Sequence, residues 1–312
     1  MPLETIALAD RPSALDPEGT GAERIADLWW IMLGAGSVVW VVVVVAMLLA
    51  VRRRRDAAAG GARGAILVGG IALPAIVITA LFVLTARPAG PLFAMTGPAA
   101  FGIEVVGQQW WWSIRYPEQN VSTANELIIP VGTPVRIELR SADVLHSFWV
   151  PQLNGKLDVL PGKVNSMTLE ANEPGIYRGE CAEFCGVQHA KMQLLVIAAP
   201  PEEFEARLAR LREPAREPQL PVERRGRETF MSVGCAACHT IRGTRADGVV
   251  GPDLTHIGRR LTLGAATIPN TRGHLGGWVV NSQTIKPGNK MPPQKIAAEE
   301  LPALLTYLES LE

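Results

Sequence analysis

Of 312 residues only four are cysteine, and none is left over for a structural disulfide, because all four fall in two short motifs. Neither sign of charge is in excess: 30 Lys and Arg balance 30 Asp and Glu. No stripe of Lys/Arg suited to a phosphate backbone is present, which excludes nucleic acid as a partner. The N-terminus lacks a basic stretch leading into a short apolar core and an Ala-x-Ala site, so no cleaved signal peptide is expected. Residues 1–27 are instead polar, punctuated by Pro and Gly, and mostly acidic.

What the chain does have is apolar length. Ile31 to Val51 is nearly unbroken, and ~21 residues at 1.5 Å each span a hydrocarbon core. Trp29 and Trp30 suit the interfacial belt, and Trp40 accompanies the run. A second run goes from Ala65 to Thr85 between Arg63 and Arg87, with Pro74 inside it as a candidate kink. The loop between them carries Arg52, Arg53, Arg54, Arg55 and Arg63 against Asp56 alone. The positive-inside rule puts that loop in the cytoplasm and everything after Arg87 on the periplasmic or outer face.

Residues 95–200 read as β. Runs at Phe101–Val106, Val135–Leu139, Val164–Leu169 and Met192–Ile197 are short, β-rich and separated by Pro/Gly/Asn turns. Such spacing predicts a sandwich or barrel. Within it lies Cys181-Ala-Glu-Phe-Cys185-Gly-Val-Gln-His189-Ala-Lys-Met192, with His146 upstream in Asp143-Val-Leu-His-Ser-Phe. Two thiolates, two imidazoles and a thioether form a soft donor set that suits copper, and a second thiolate permits two metals to be bridged. The rivals are a Cys181–Cys185 disulfide, which an oxidising compartment allows, and zinc, for which Met is a poor ligand.

Pro200–Leu211 reads as a short amphipathic helix with Phe204, Leu208 and Leu211 on one face, and the charged, Pro-rich 213–221 as a semi-extended linker. Beyond it, Cys235-Ala-Ala-Cys238-His239 is the pattern of c-type haem attachment: two thiols for thioethers, with the adjacent His placed under the iron. Met291 in Lys-Met-Pro-Pro is the candidate sixth ligand, since Met231 lies too near Cys235 to reach the opposite face; His256 and His274 compete with it. Trp278 is a candidate for packing near a haem propionate or within a helix contact. A closing helix is expected over Ala297–Leu311.

The Cys-x-Glu-x-Cys-Gly-x-x-His-x-x-Met motif resembles the dinuclear copper (CuA) centre of cytochrome c oxidase subunit II. His146, the aromatic stretch Gly107–Trp112, the segment from Ser147 to Lys163 and the helix hairpin extend the resemblance over residues 25–200. With the second motif, the chain is similar to subunit II carrying a fused cytochrome c domain, the caa type.

The resemblance implies that Cys181 and Cys185 bridge two coppers, that His146 and His189 each bind one, and that Met192 completes one of them. It implies that Glu183 gives its carbonyl to copper and its carboxylate to a Mg or Mn ion at subunit I, and that Trp110 admits electrons. For Trp111 and Trp112 plain packing is the equal alternative. Two positions depart from the family: Leu67 stands where a Glu is common, which puts proton uptake in doubt, and Gln108 where many relatives have His.

The fold expected is a membrane protein of several domains: an N-terminal extracytoplasmic segment (1–27), a transmembrane hairpin (28–88), a cupredoxin-like CuA domain (89–200), a helix and linker (201–221) and an all-α class I cytochrome c domain (222–312). The implied function is subunit II of a haem–copper terminal oxidase in a bacterial inner membrane. Electrons pass from an external donor, such as a cytochrome c or a cytochrome bc complex, to haem c, then CuA, then subunit I, where O2 is reduced with proton translocation. Subunit III is a further expected partner, and transient docking of the haem domain near Trp110–Trp112 is expected. The alternatives are the small subunit of a CuA-containing nitric oxide reductase, a quinol oxidase subunit, against which the intact ligands argue, and a stand-alone membrane-tethered carrier.

Overall fold

A computed structural model describes residues 12–52, 63–64, 66–93 and 99–312. The arginine loop at 53–62 and residues 1–11 lie outside the described residues. The chain divides into two units, one of Glu23–Gly97 and one of Met1–Ala22 with Pro98–Glu312.

Helix α1 spans Thr20–Arg52 and α2 spans Leu73–Phe93. Two helical stretches, Thr20–Arg52 and Val68–Ala86, are long and apolar enough to cross a membrane, and neither buries its apolar window within the protein. A π-helical turn, Val68–Ala72, leads directly into α2. Pro74 has no N–H and its ring crowds the carbonyl four residues back, so the wider turn before it is the local answer to that proline.

The second unit begins with two five-stranded sheets, ordered β3-β2-β1-β5-β8 and β4-β10-β9-β6-β7. The strands are β1 Gly102–Gln108, β2 Trp111–Tyr116, β3 Val121–Ala124, β4 Glu126–Pro130, β5 Val135–Ser141, β6 His146–Trp149, β7 Leu157–Val159, β8 Asn165–Leu169, β9 Gly175–Cys181 and β10 Gln193–Ala199. Pairs β1/β5 and β4/β10 run parallel, the others antiparallel. Alternate residues of β1 and β5 point inward, so Ile103, Val105, Val135, Ile137 and Leu139 are fully buried between the layers. This is a sandwich, as the strand spacing predicts, and it is curled and cupredoxin-like, as the resemblance implies. Trp112 fills the same core, edge-on to Phe148 at 5.6 Å, which makes it a packing residue.

Helix α3 (Pro201–Arg212) buries Phe204 and Leu208, and stacks Phe204 on Phe101 at 5.5 Å. The following segment is held in place: Ala215 N–H donates to Arg242 O at 2.9 Å, and Arg216 bridges to Glu223 at 2.7 Å. The C-terminal region is helical: α4 (Pro221–Ser232), α5 (Arg272–Asn281) and α6 (Leu301–Glu309). The closing helix starts four residues later than the pattern suggests, after turns at 298–300. Helices α4 and α6 cross at Gly226, where a Cβ would sit 2.1 Å from Ala303 O, and Phe230 meets Tyr307 at 6.2 Å beside that crossing.

Candidate metal centres

The first centre is assembled from both ends of one loop and the start of a distant strand. Cys181 closes β9, His146 opens β6, and the loop 182–192 returns to β10. Cys181 N–H donates to Met192 O at 2.9 Å and so pins the two ends of that loop together. The Cys181 and Cys185 Sγ atoms lie 3.8 Å apart. His146 Nδ1 is 3.9 Å from Cys181 Sγ, and His189 Nδ1 is 3.7 Å from Cys185 Sγ. Met192 Sδ is 3.8 Å from Cys185 Sγ, and the Glu183 carbonyl is 3.2 Å from Cys181 Sγ. His146, Cys181 and Cys185 bring ligand atoms within 4.8 Å of one another, all three residues being buried. Both cysteines are free, so the disulfide alternative does not hold here. Every donor named from the sequence around this loop is thus brought to one place, with both imidazoles presenting Nδ1 to a thiol.

Electrostatics sharpen the arrangement. Its hydrogen bond with Cys185, aided by His146, holds the Cys181 thiol far below the ordinary range, and the same bond pushes Cys185 up. The pair therefore keeps one proton between two sulfurs in the absence of metal. Burial opposes charge on His146, but Cys181 and Asp143 outweigh it and raise its pKa.

Asp143 stands outside the ligand motif yet supports it. Its Oδ1 lies 2.8 Å from His146 Nε2, fixing the ring so that Nδ1 faces the thiols. Its Oδ2 accepts from Gln109 N–H at 2.7 Å and from Lys290 Nζ at 3.3 Å. The Cys185 carbonyl accepts from Gln109 Nε2 at 2.8 Å and Trp110 Nε1 at 3.1 Å. Two glycines make room. A Cβ on Gly107 would lie 2.9 Å from His146 Cδ2, and one on Gly186, already at φ 119°, would lie 3.0 Å from the Trp110 ring.

The second centre surrounds Cys235, Cys238 and His239. Gly234, at φ 92°, starts a short 3-10 turn over Cys235–Ala237, and His239 N–H donates to Cys235 O at 3.0 Å. His239 Nδ1 bonds Pro252 O at 2.8 Å, which leaves Nε2 without a hydrogen-bond partner among the described residues. Burial lowers the pKa of His239, so the ring is held neutral. A neutral, oriented imidazole with one free nitrogen beside two free cysteines fits a covalently attached haem.

Met291 lies on an irregular segment fixed by three contacts. Its carbonyl accepts from Ser282 Oγ at 2.9 Å and Gln283 Nε2 at 2.8 Å, and its N–H donates to Asn289 Oδ1 at 2.8 Å. Of its rivals, His256 is tied through Nε2 to Glu213 O at 3.1 Å, and His274 lies in the first turn of α5 with its Nδ1 2.9 Å from the hydroxyl of the capping Thr271. Trp278 packs against the buried core and over Gly264.

The fold and these two centres define a class: a cupredoxin-type metal domain followed by a c-type cytochrome domain, on a chain with two membrane-length helices. Residues 118–199 match the family described as cytochrome c oxidase subunit II, periplasmic domain, and residues 223–312 match cytochrome c. The chain thus carries a subunit II-like periplasmic domain followed by a cytochrome c-like domain. It is 39% identical over 211 residues to a cytochrome c oxidase subunit 2 of Alkalihalophilus pseudofirmus, covering 67% of this chain and 61% of that one. It is 30% identical over 224 residues to that of Bacillus subtilis, covering 68% and 63%. The chain thus spans less than two thirds of the length of these relatives. Among solved structures it is similar to the periplasmic domain of subunit II from Bradyrhizobium japonicum, with 28% identity, a TM-score of 0.36, and cover of 37% of this chain and 95% of that one.

Proposed function

We propose that the chain is the electron-accepting subunit of a haem–copper oxidase, with electrons passing from an outside donor to haem c, to a dinuclear copper centre, and on to a catalytic subunit I. The constellation of buried His146, Cys181, Cys185 and Met192 with half-buried His189 carries this reading. Two thiols, each with a histidine Nδ1 beside it, would hold two coppers, and an electron shared over such a pair would be transferred with little change of geometry. Cys235 and Cys238 would attach the haem, and His239 and Met291 would be the ligands to its iron. The Glu183 carbonyl completes the copper set. Its carboxylate takes a Mg or Mn ion where subunit I meets this chain. Residues 53–62 face the cytoplasm and both centres face outward.

The described residues of this chain bind and orient; with these ligand sets neither copper nor iron would keep a position for oxygen. Asp143 keeps His146 in place while the charge of the centre changes, and Pro252 does so for His239. Metal and haem analysis of the purified chain with its co-purifying partners tests the assignment. Two coppers and one covalent haem per chain, beside a haem-bearing subunit, are expected. A copper-free preparation with full oxidase activity would overturn it.

A further inference from the structure

Two buried charges join the cytochrome domain to the metal-binding sandwich, and each is satisfied by backbone groups of the other domain. Lys286, on the same segment as Met291, is 3% exposed. Its ammonium donates to Trp110 O and Lys191 O at 2.7 Å each, across the contact, and to Gly264 O at 2.9 Å in its own domain. Three carbonyls match the three N–H groups of a lysine. On β4, Glu126 is 8% exposed. Its Oε1 accepts from Leu261 N at 2.8 Å and Thr262 N at 3.2 Å in the cytochrome domain. Further contacts surround these two. Arg178 donates to Ala266 O at 2.7 Å, Gln188 to Pro287 O at 2.5 Å, and Lys191 to the Ile285 carbonyl.

Buried charges are costly unless fully hydrogen-bonded, and these two find most of their partners only across the contact. An apolar seam tolerates sliding; a lysine in a cage of carbonyls and a carboxylate on two amides each accept one position. The consequences reach both centres. Lys191 lies between His189 and Met192 in the ligand loop, and the indole of Trp110 already holds the Cys185 carbonyl. Segment 282–291 carries both Met291 and the buried Lys286, and its Lys290 touches the same Asp143 that orients His146. Burial pulls Lys286 down to about 7 and pushes Glu126 up to about 7, as expected of charges held away from water.

We propose that Lys286 and Glu126 are positioning residues that fix the cytochrome domain in one register over the copper-ligand loop, and that this register closes Trp110 to any electron donor outside the chain. The proposal rests on the two centres assigned above. Trp110 is 9% exposed, with its carbonyl held by Lys286 and its indole by Cys185. An outside donor therefore reaches copper only by way of the haem.

The test uses the full chain with its copper and haem contents measured first. Loss of those contents in the wild type counts against the centres, whereas the docking readouts count against this proposal alone. Pulsed EPR measures the distance distribution between the haem iron and the copper pair, and hydrogen exchange reports peptides covering 108–112 and 186–191. The wild type gives one narrow distribution and slow exchange. Lys286→Met and Glu126→Ala each leave the contents unchanged, broaden the distribution and speed exchange about ten-fold. A double variant that keeps both the narrow distribution and the slow exchange refutes the proposal. Slow exchange at 108–112 combined with a broadened distribution refutes the closure of Trp110.

Discussion

Replacement of Asp143 gives a graded test of how the first centre is held. The carboxylate lies 2.8 Å from Nε2 of His146, which is fully buried. A hydrogen bond with a charged partner contributes roughly 1.5–3 kcal/mol, and a ligand's supporting group roughly 10–100-fold in metal affinity. Asp143→Ala removes the carboxylate and also strands the Gln109 N–H, which donates to it at 2.7 Å. Copper binding should fall toward the upper end, about 100-fold. Asp143→Asn keeps an oxygen for Nε2 but loses the charge, and with it about half the bond, so a loss of about ten-fold follows. Lys290→Met removes only the outer ion pair, whose lysine side chain is 60% exposed. Screening by solvent leaves such a pair less than ~1 kcal/mol, a change of less than about five-fold. The assay is competitive titration of copper against a chelator, followed by copper–thiolate absorption. Equal affinities for Asp143→Ala and the wild type, or an effect of Lys290→Met as large as that of Asp143→Ala, would refute the reasoning.

Further outcomes follow from the same geometry. Gly226→Ala drives a Cβ to 2.1 Å from Ala303 O and 2.6 Å from Tyr307 Cβ, so it should destabilise the cytochrome domain by about 3 kcal/mol or more. Gly277→Ala meets nothing within 4 Å on α5 and should stabilise it by roughly 0.5–1 kcal/mol; chemical denaturation followed at the haem absorption band measures both. Gly107→Ala presses on His146 at 2.9 Å and should perturb the copper EPR spectrum while the sandwich stays folded by circular dichroism. Docking should also depend on pH through Glu126, whose pKa is raised by burial from 4.5 to about 7, against the pull of Arg260, the Thr262 and Leu261 amides and Arg207. A raised pKa favours the docked state when the group is protonated, so this contribution is present below about 4.5 and is lost as pH rises through about 7. Exchange protection at 186–191 should therefore fall with pH in the wild type relative to Glu126→Gln; parallel profiles would exclude that role.

Much of the first centre is legible in the sequence because one loop supplies four of its five side-chain donors at fixed offsets, and loop closure brings them together at little cost. His146 stands 35 residues from Cys181, and only the antiparallel pairing of β6 with β9 makes them neighbours. The pentapeptide at Cys235–His239 is local for the same reason. Asp143 was visible three residues before His146, but nothing in a sequence tells a buried orienting carboxylate from a turn residue. The Pro-rich stretch 213–221 reads as a semi-extended linker; in the structure it is bonded to Arg242, Glu223, His256 and Ser310 and runs into α4. Proline signals that a segment is not helical and cannot signal what it packs against.

The sequence alone determined the membrane-length runs, the donor chemistry and the order of the modules, because hydrophobic length, ligand type and short spacings are properties of neighbouring residues. Only the tertiary structure decided which nitrogen each histidine turns toward the thiols, that Trp112 is core, and that Lys286 and Glu126 are buried. Those facts arise where segments far apart in the chain exclude water together. A lysine in a Pro-Gly loop is an ordinary surface residue until another domain's carbonyls close around it.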